Sequence, residues 1–96
     1  VGREHFKPKA NSMKTCPILL YNSLTEHRGN VHFEYLWYSN KRVITRCIVE
    51  LEHEFYSSDL YADVQVAIAI YLDVSIEMVS IPCEILIEVK SKQQAA

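Results

Sequence analysis

Glycine is nearly missing from this chain, with Gly2 and Gly29 the two present in 96 residues. A phosphate cradle needs a run of glycines so that backbone amides can close around the anion, and no such loop can be built here. Cysteine is sparse and unpatterned. Cys16, Cys47 and Cys83 are far apart and odd in number. They offer neither a CxxC pair nor a clustered ligand set for zinc. Each falls in a strand-like run, where a small apolar side chain packs well, so they read as buried thiols of a reducing compartment. Neither sign of charge is in excess: 10 basic against 12 acidic residues leaves a net charge of -2 and a pI of about 6.1. That balance supplies no long-range attraction for nucleic acid or an anionic bilayer. Long apolar runs are absent as well. The longest within the candidate helix is 66–72, far short of the roughly 20 residues that cross a membrane. No secretory h-region, internal repeat or low-complexity tract is visible.

What is present is core material. Hydrophobic residues make up 49% and aromatics 10% of the chain, a folded composition sized for one domain. The basic segment 1–14, with Arg3, Lys7, Lys9 and Lys14, is expected to be poorly ordered, and Met13 is a candidate start. The domain is expected over 15–90, followed by a polar tail over 91–96.

The organising stretch is 57–74, the one long segment with helical periodicity. Ser57 or Ser58 is expected to cap it, with Asp59 at the positive end of its dipole. Leu60, Val64, Ala67, Ile68 and Tyr71 form a core-facing stripe. Ala62, Val66, Ala69 and Ile70 fall on or near the opposite side. A helix apolar nearly all round is normally covered all round. So short a chain has little material for a second layer, so these four residues are the expected self-association surface.

Strands are expected over 15–21, 30–38, 42–55 and 80–90, with 22–29 as a polar loop. Pro17 and Pro82 point to edges or strand starts. Between the second and third strands a three-residue turn, 39–41, sets Phe33 against Cys47, Tyr35 against Thr45 and Glu34 against Arg46. A two-residue turn would instead set Trp37 against Arg42. A short capped turn is expected at 75–79. The fold class is α+β: a small antiparallel sheet in the order β-β-β-α-β with one helix packed on one face. Val31, Phe33, Tyr35, Trp37, Val43, Cys47, Val49, Leu51, Ile85 and Ile87 are the expected inner face.

Catalytic signals are weak. Glu50, Glu52 and Glu54 alternate along a strand with His53 pointing away, which reads as a solvated face. An enzyme would need a concave pocket bringing His53 to Glu52 or Glu54. No cofactor or metal is expected. The outer sheet face is more informative. Leu36, Ile44 and Ile48, with Leu86 a candidate fourth, form an apolar patch rimmed by glutamates and by Arg42 and Arg46, with Tyr38 on the same face. That is the apolar centre and polar rim of a protein interface. The sequence therefore points to a non-enzymatic, cytoplasmic protein-interaction module that self-associates and binds another protein. The alternative is single-stranded nucleic-acid binding by Tyr38, Arg42 and Arg46.

Overall fold

The computed structural model describes residues 13–22, 25–54 and 59–90. Strand β1 (Lys14–Asn22) is followed by β2 (Thr25–Tyr38), β3 (Lys41–Leu51), helix α1 (Leu60–Leu72), a 3-10 turn (Ile76–Met78), β4 (Val79–Ser80) and β5 (Ile85–Val89). The first three strands form an antiparallel meander. The last two both lie along β3 and run parallel to it. The fold is thus α+β with one helix, but the sheet is mixed rather than antiparallel. The reason is the length of the connection: a crossover carrying a whole helix returns the chain to the end of the sheet where β3 began, so the next strand runs with β3.

Three further expectations change for identifiable reasons. Residues 25–29 extend β2 rather than forming a loop, because β1 supplies a partner for every one of them down to Thr25. Pairing thereby overrides a locally polar pattern. The last strand breaks in two around Pro82, which cannot donate to a ladder. Strand β3 ends at Leu51, so the alternation expected to carry on to Phe55 stops, and Phe55 lies outside the described residues, as do Ser57 and Ser58.

The register between β2 and β3 is the most consequential change. Phe33 does oppose Cys47, and Glu34 opposes Arg46 at an ion-pair distance of 3.8 Å. Beyond that point the pairing shifts by one residue. Tyr35 meets Ile44, Trp37 meets Arg42 and Tyr38 meets Lys41 across a two-residue turn, Ser39-Asn40. Thr45 is the extra residue, a bulge whose hydroxyl donates to the Glu34 carbonyl at 3.3 Å. Ser39 carries a positive φ of 66° and Asn40 does not, the sign pattern of a type II′ turn. Turn and bulge compensate: the tight turn would put the wrong faces together, and the inserted Thr45 restores the core register below it.

The core lies between the inner face of the sheet and α1. Cys16, Ile18, Leu20, Val31, Phe33, Ile44, Cys47, Val49 and Leu51 from the sheet meet Val64 and Ile68 from the helix. Tyr71 packs edge-on against Phe33, with ring centroids 5.9 Å apart. Trp37 and Ile87, expected inside, are exposed, because α1 packs mainly over β1 and leaves the ends of the sheet uncovered. Val43 is only half-buried.

Helix α1 begins at Leu60 with Asp59 as its N-cap residue, and that carboxylate makes no capping hydrogen bond. Its other end is a Schellman closure. Asp73 takes φ 61°, its N–H reaches the Ile70 carbonyl, and the Val74 N–H reaches Ala69 at 3.0 Å. Asp73 is poorly suited to this position, since it has a Cβ in the left-handed region and a negative charge at the negative end of the helix. Asp73→Gly is expected to raise stability by about 0.5–1 kcal/mol in urea titration. A loss of stability would show that the aspartate makes a contact that outweighs both penalties.

Candidate functional site

The bulge decides what each sheet face carries. On the outer face, Leu36, Tyr38, Arg46 and Ile48 remain together. Ile44 does not join them: it sits in the core with no exposed area. Arg42 is also displaced, to the face that carries Trp37, where its guanidinium stacks 3.6 Å above the indole ring. The expected six-residue interface therefore loses its central aliphatic and one arginine. The aromatic and basic face expected for nucleic acid divides in the same way, with Tyr38 and Arg46 on one side and Arg42 on the other.

A polar row crosses the outer face. The Thr15 hydroxyl lies 2.9 Å from His32 Nδ1, and His32 Nε2 lies 2.6 Å from Glu50 Oε1. Lys90 Nζ stands 3.6 Å from the other Glu50 oxygen. Four strands contribute one residue each or, for Lys90, the residue just past the strand. The arrangement follows from register, since His32 pairs with Thr15 on one side and Glu50 lies diagonally across β3. The hydrogen bond from His32, followed by the charge of Lys90, holds the Glu50 carboxyl below its ordinary value of 4.5. The stabilisation this represents is present above the ordinary value and is lost as pH falls through the lower folded-state value. On acidification below about pH 4.5, Glu50→Gln should therefore lose less stability than the parent in thermal melts. Parallel losses would show that the row does not tie Glu50 to the folded state.

His53 and Glu52 do share a depression, of about 440 Å³, with Glu26, His27 and Arg28. It lies where β3 ends beside the start of β2. Both His53 and Glu52 are exposed, so the pair lacks the unlike environments that separate an acid from a base. Among the described residues, no group of three or more His, Cys, Asp or Glu side chains is placed to hold a metal ion. The thiols are poorly suited to nucleophilic work. Burial pushes Cys16 up to about 11 and Cys47 up to about 12, so both stay protonated at neutral pH.

The helix presents the clearest surface. Ile70 is 74% exposed and Val66 37%, with Ala62 open beside them. Ala69, expected in the same set, is buried. The chain returning from α1 covers that flank: Val74 closes on Ala69, and Gln65 Nε2 donates to the carbonyls of Ile76 and Val79. Of the surviving set, Ala62, Val66 and Ile70, the last two line, with Tyr71, a cavity beside β1, which among the described residues is the sheet edge. The role of this edge was not legible in sequence, because strand order decides it. Among the described residues, no helix is long and apolar enough to cross a membrane. Comparison with protein-family models, with curated proteins and with solved structures finds no match.

Proposed function

We propose that this chain is a small non-enzymatic protein-interaction module that self-associates through the outward face of α1. One observation carries the reading: Ile70, in the last turns of the helix, leaves three-quarters of its surface in water beside an exposed Val66. Burying such a side chain in an interface is worth about 1.5–3 kcal/mol. Isolated apolar side chains are ordinary on any surface. A contiguous set on a regular element is the composition of an interface centre. The outer sheet face, with Leu36 and Leu86 exposed and Ile48 half-covered, supports a second contact with another protein. Sedimentation velocity at micromolar concentration tests the self-association. The reading expects a dimer or larger species that Ile70→Asp converts to a folded monomer.

A further inference from the structure

We propose that the open edge of β1, together with the α1 wall beside it, docks an extended basic segment of another protein, which joins the sheet as a strand next to β1. This inference rests on the reading that this side of the molecule binds polypeptide. It goes further by naming the mode and the chemistry of the occupant.

The backbone is the first support. Among the described residues β1 pairs on one side only, with β2. That ladder runs without a register shift through Pro17, which stands opposite Asn30. Proline has no N–H, so it costs no ladder bond only where its nitrogen faces away from β2. Alternation then turns the N–H and C=O groups of Thr15, Leu19 and Tyr21 toward the same open side. An edge with such a row of donors and acceptors is a template for a further strand.

The space along that edge is the second. A channel of about 900 Å³ runs beside β1, and its lining comes from both faces of the sheet. Ile18, Val66 and Ile70 line the helix side, and Leu19 lines the other. A strand laid against β1 sends alternate side chains to the two faces. Each set would meet apolar lining.

Charge selects the occupant. Asp63 lines the channel half-buried, one helical turn from Asp59. Burial first, and then the negative Asp59, hold its carboxyl above the ordinary range. The lining has two cations, and both are engaged: Arg28 with Glu26 at 3.3 Å, and Lys90 with Glu50 at 3.6 Å. A lysine or arginine from an incoming strand would meet Asp63, with Glu50 and Glu52 also in the lining, three carboxylates against two cations. An acidic segment would meet repulsion.

The test uses the whole chain, isotope-labelled, and three synthetic heptapeptides with blocked ends. One alternates valine and lysine, one alternates valine and glutamate, and one is the lysine peptide methylated at every backbone nitrogen. The lysine peptide should slow hydrogen exchange at the Thr15, Leu19 and Tyr21 amides. The glutamate peptide, and Asp63→Asn with the lysine peptide, should each bind about tenfold more weakly, the loss of one charge-assisted contact. The methylated peptide should not bind. Equal binding of the methylated peptide, binding that leaves the three amides unchanged, or no binding of any peptide would each overturn the inference. If the three amides are already slowed in the free protein and speed up on dilution, a second copy occupies the edge, and the inference fails while self-association stands. If the free protein is monomeric yet binds the lysine peptide in this way, self-association fails and the inference stands.

Discussion

Phe33→Ala should cost about 3–5 kcal/mol, the largest loss expected of a single core truncation in this chain. Phe33 has no exposed area and sits mid-way along the central part of β2, between β1 and β3. Its ring receives the edge of Tyr71 from the helix at 5.9 Å and lies 6.0 Å from Tyr35 along its own strand. Removing it takes away apolar burial and also leaves a cavity that three strands and a helix, each fixed by its own hydrogen bonds, cannot collapse to fill. Domains have a total stability of roughly 5–15 kcal/mol, and one of this size belongs at the lower end. The variant should therefore be close to unfolded at room temperature. Urea titration would show a large drop in midpoint with an unchanged slope. A loss below about 1 kcal/mol would mean that Phe33 is not at the centre of the core.

Gly29→Ala should also destabilise, by about 1–3 kcal/mol, and here the sign is informative. At an unstrained position in a strand, alanine for glycine reduces the freedom of the unfolded chain and stabilises by about 0.4–1 kcal/mol. At Gly29 the added Cβ would stand 2.5 Å from the Glu50 carbonyl oxygen and 2.6 Å from Leu51 Cδ2. Gly29 pairs with Leu51 in the ladder, so the backbone of β3 cannot withdraw without breaking that pairing. The side chain of Leu51 is itself buried. Gly29 is therefore required by close approach rather than by backbone dihedrals. A stabilised alanine variant would show that β2 and β3 are further apart here than described.

Much of the scaffold was legible in sequence because alternation and helical periodicity are local. Val31 and Phe33, Val49 and Leu51, and Val64 and Ile68 fall inside as their spacing implies. The pairing of Phe33 with Cys47 and of Glu34 with Arg46 was legible too, because parity links face to register. What was not legible depends on single insertions and on strand order. One extra residue at Thr45 moves Ile44 from the outer face into the core and carries Arg42 to Trp37. No local pattern marks it, since Arg42-Val43-Ile44-Thr45 alternates equally well either way. Ala69 differs for another reason: it belongs to the buried core cluster, against which Val74 from beyond the helix also packs, and periodicity within the helix does not see that residue. The direction of the last strand and the edge position of β1 among the described residues are properties of topology, which no local pattern carries.

The central claim is that the α1 surface around Val66 and Ile70, exposed in one copy of the chain, is where a second copy packs. Sedimentation velocity of the parent and of Ile70→Asp, each at micromolar concentration, tests this most directly when paired with a urea midpoint for both. The account expects an associated parent, a monomeric variant and nearly equal midpoints extrapolated to low protein concentration. A parent that is monomeric throughout the micromolar range, or a variant that unfolds instead of dissociating, would contradict it.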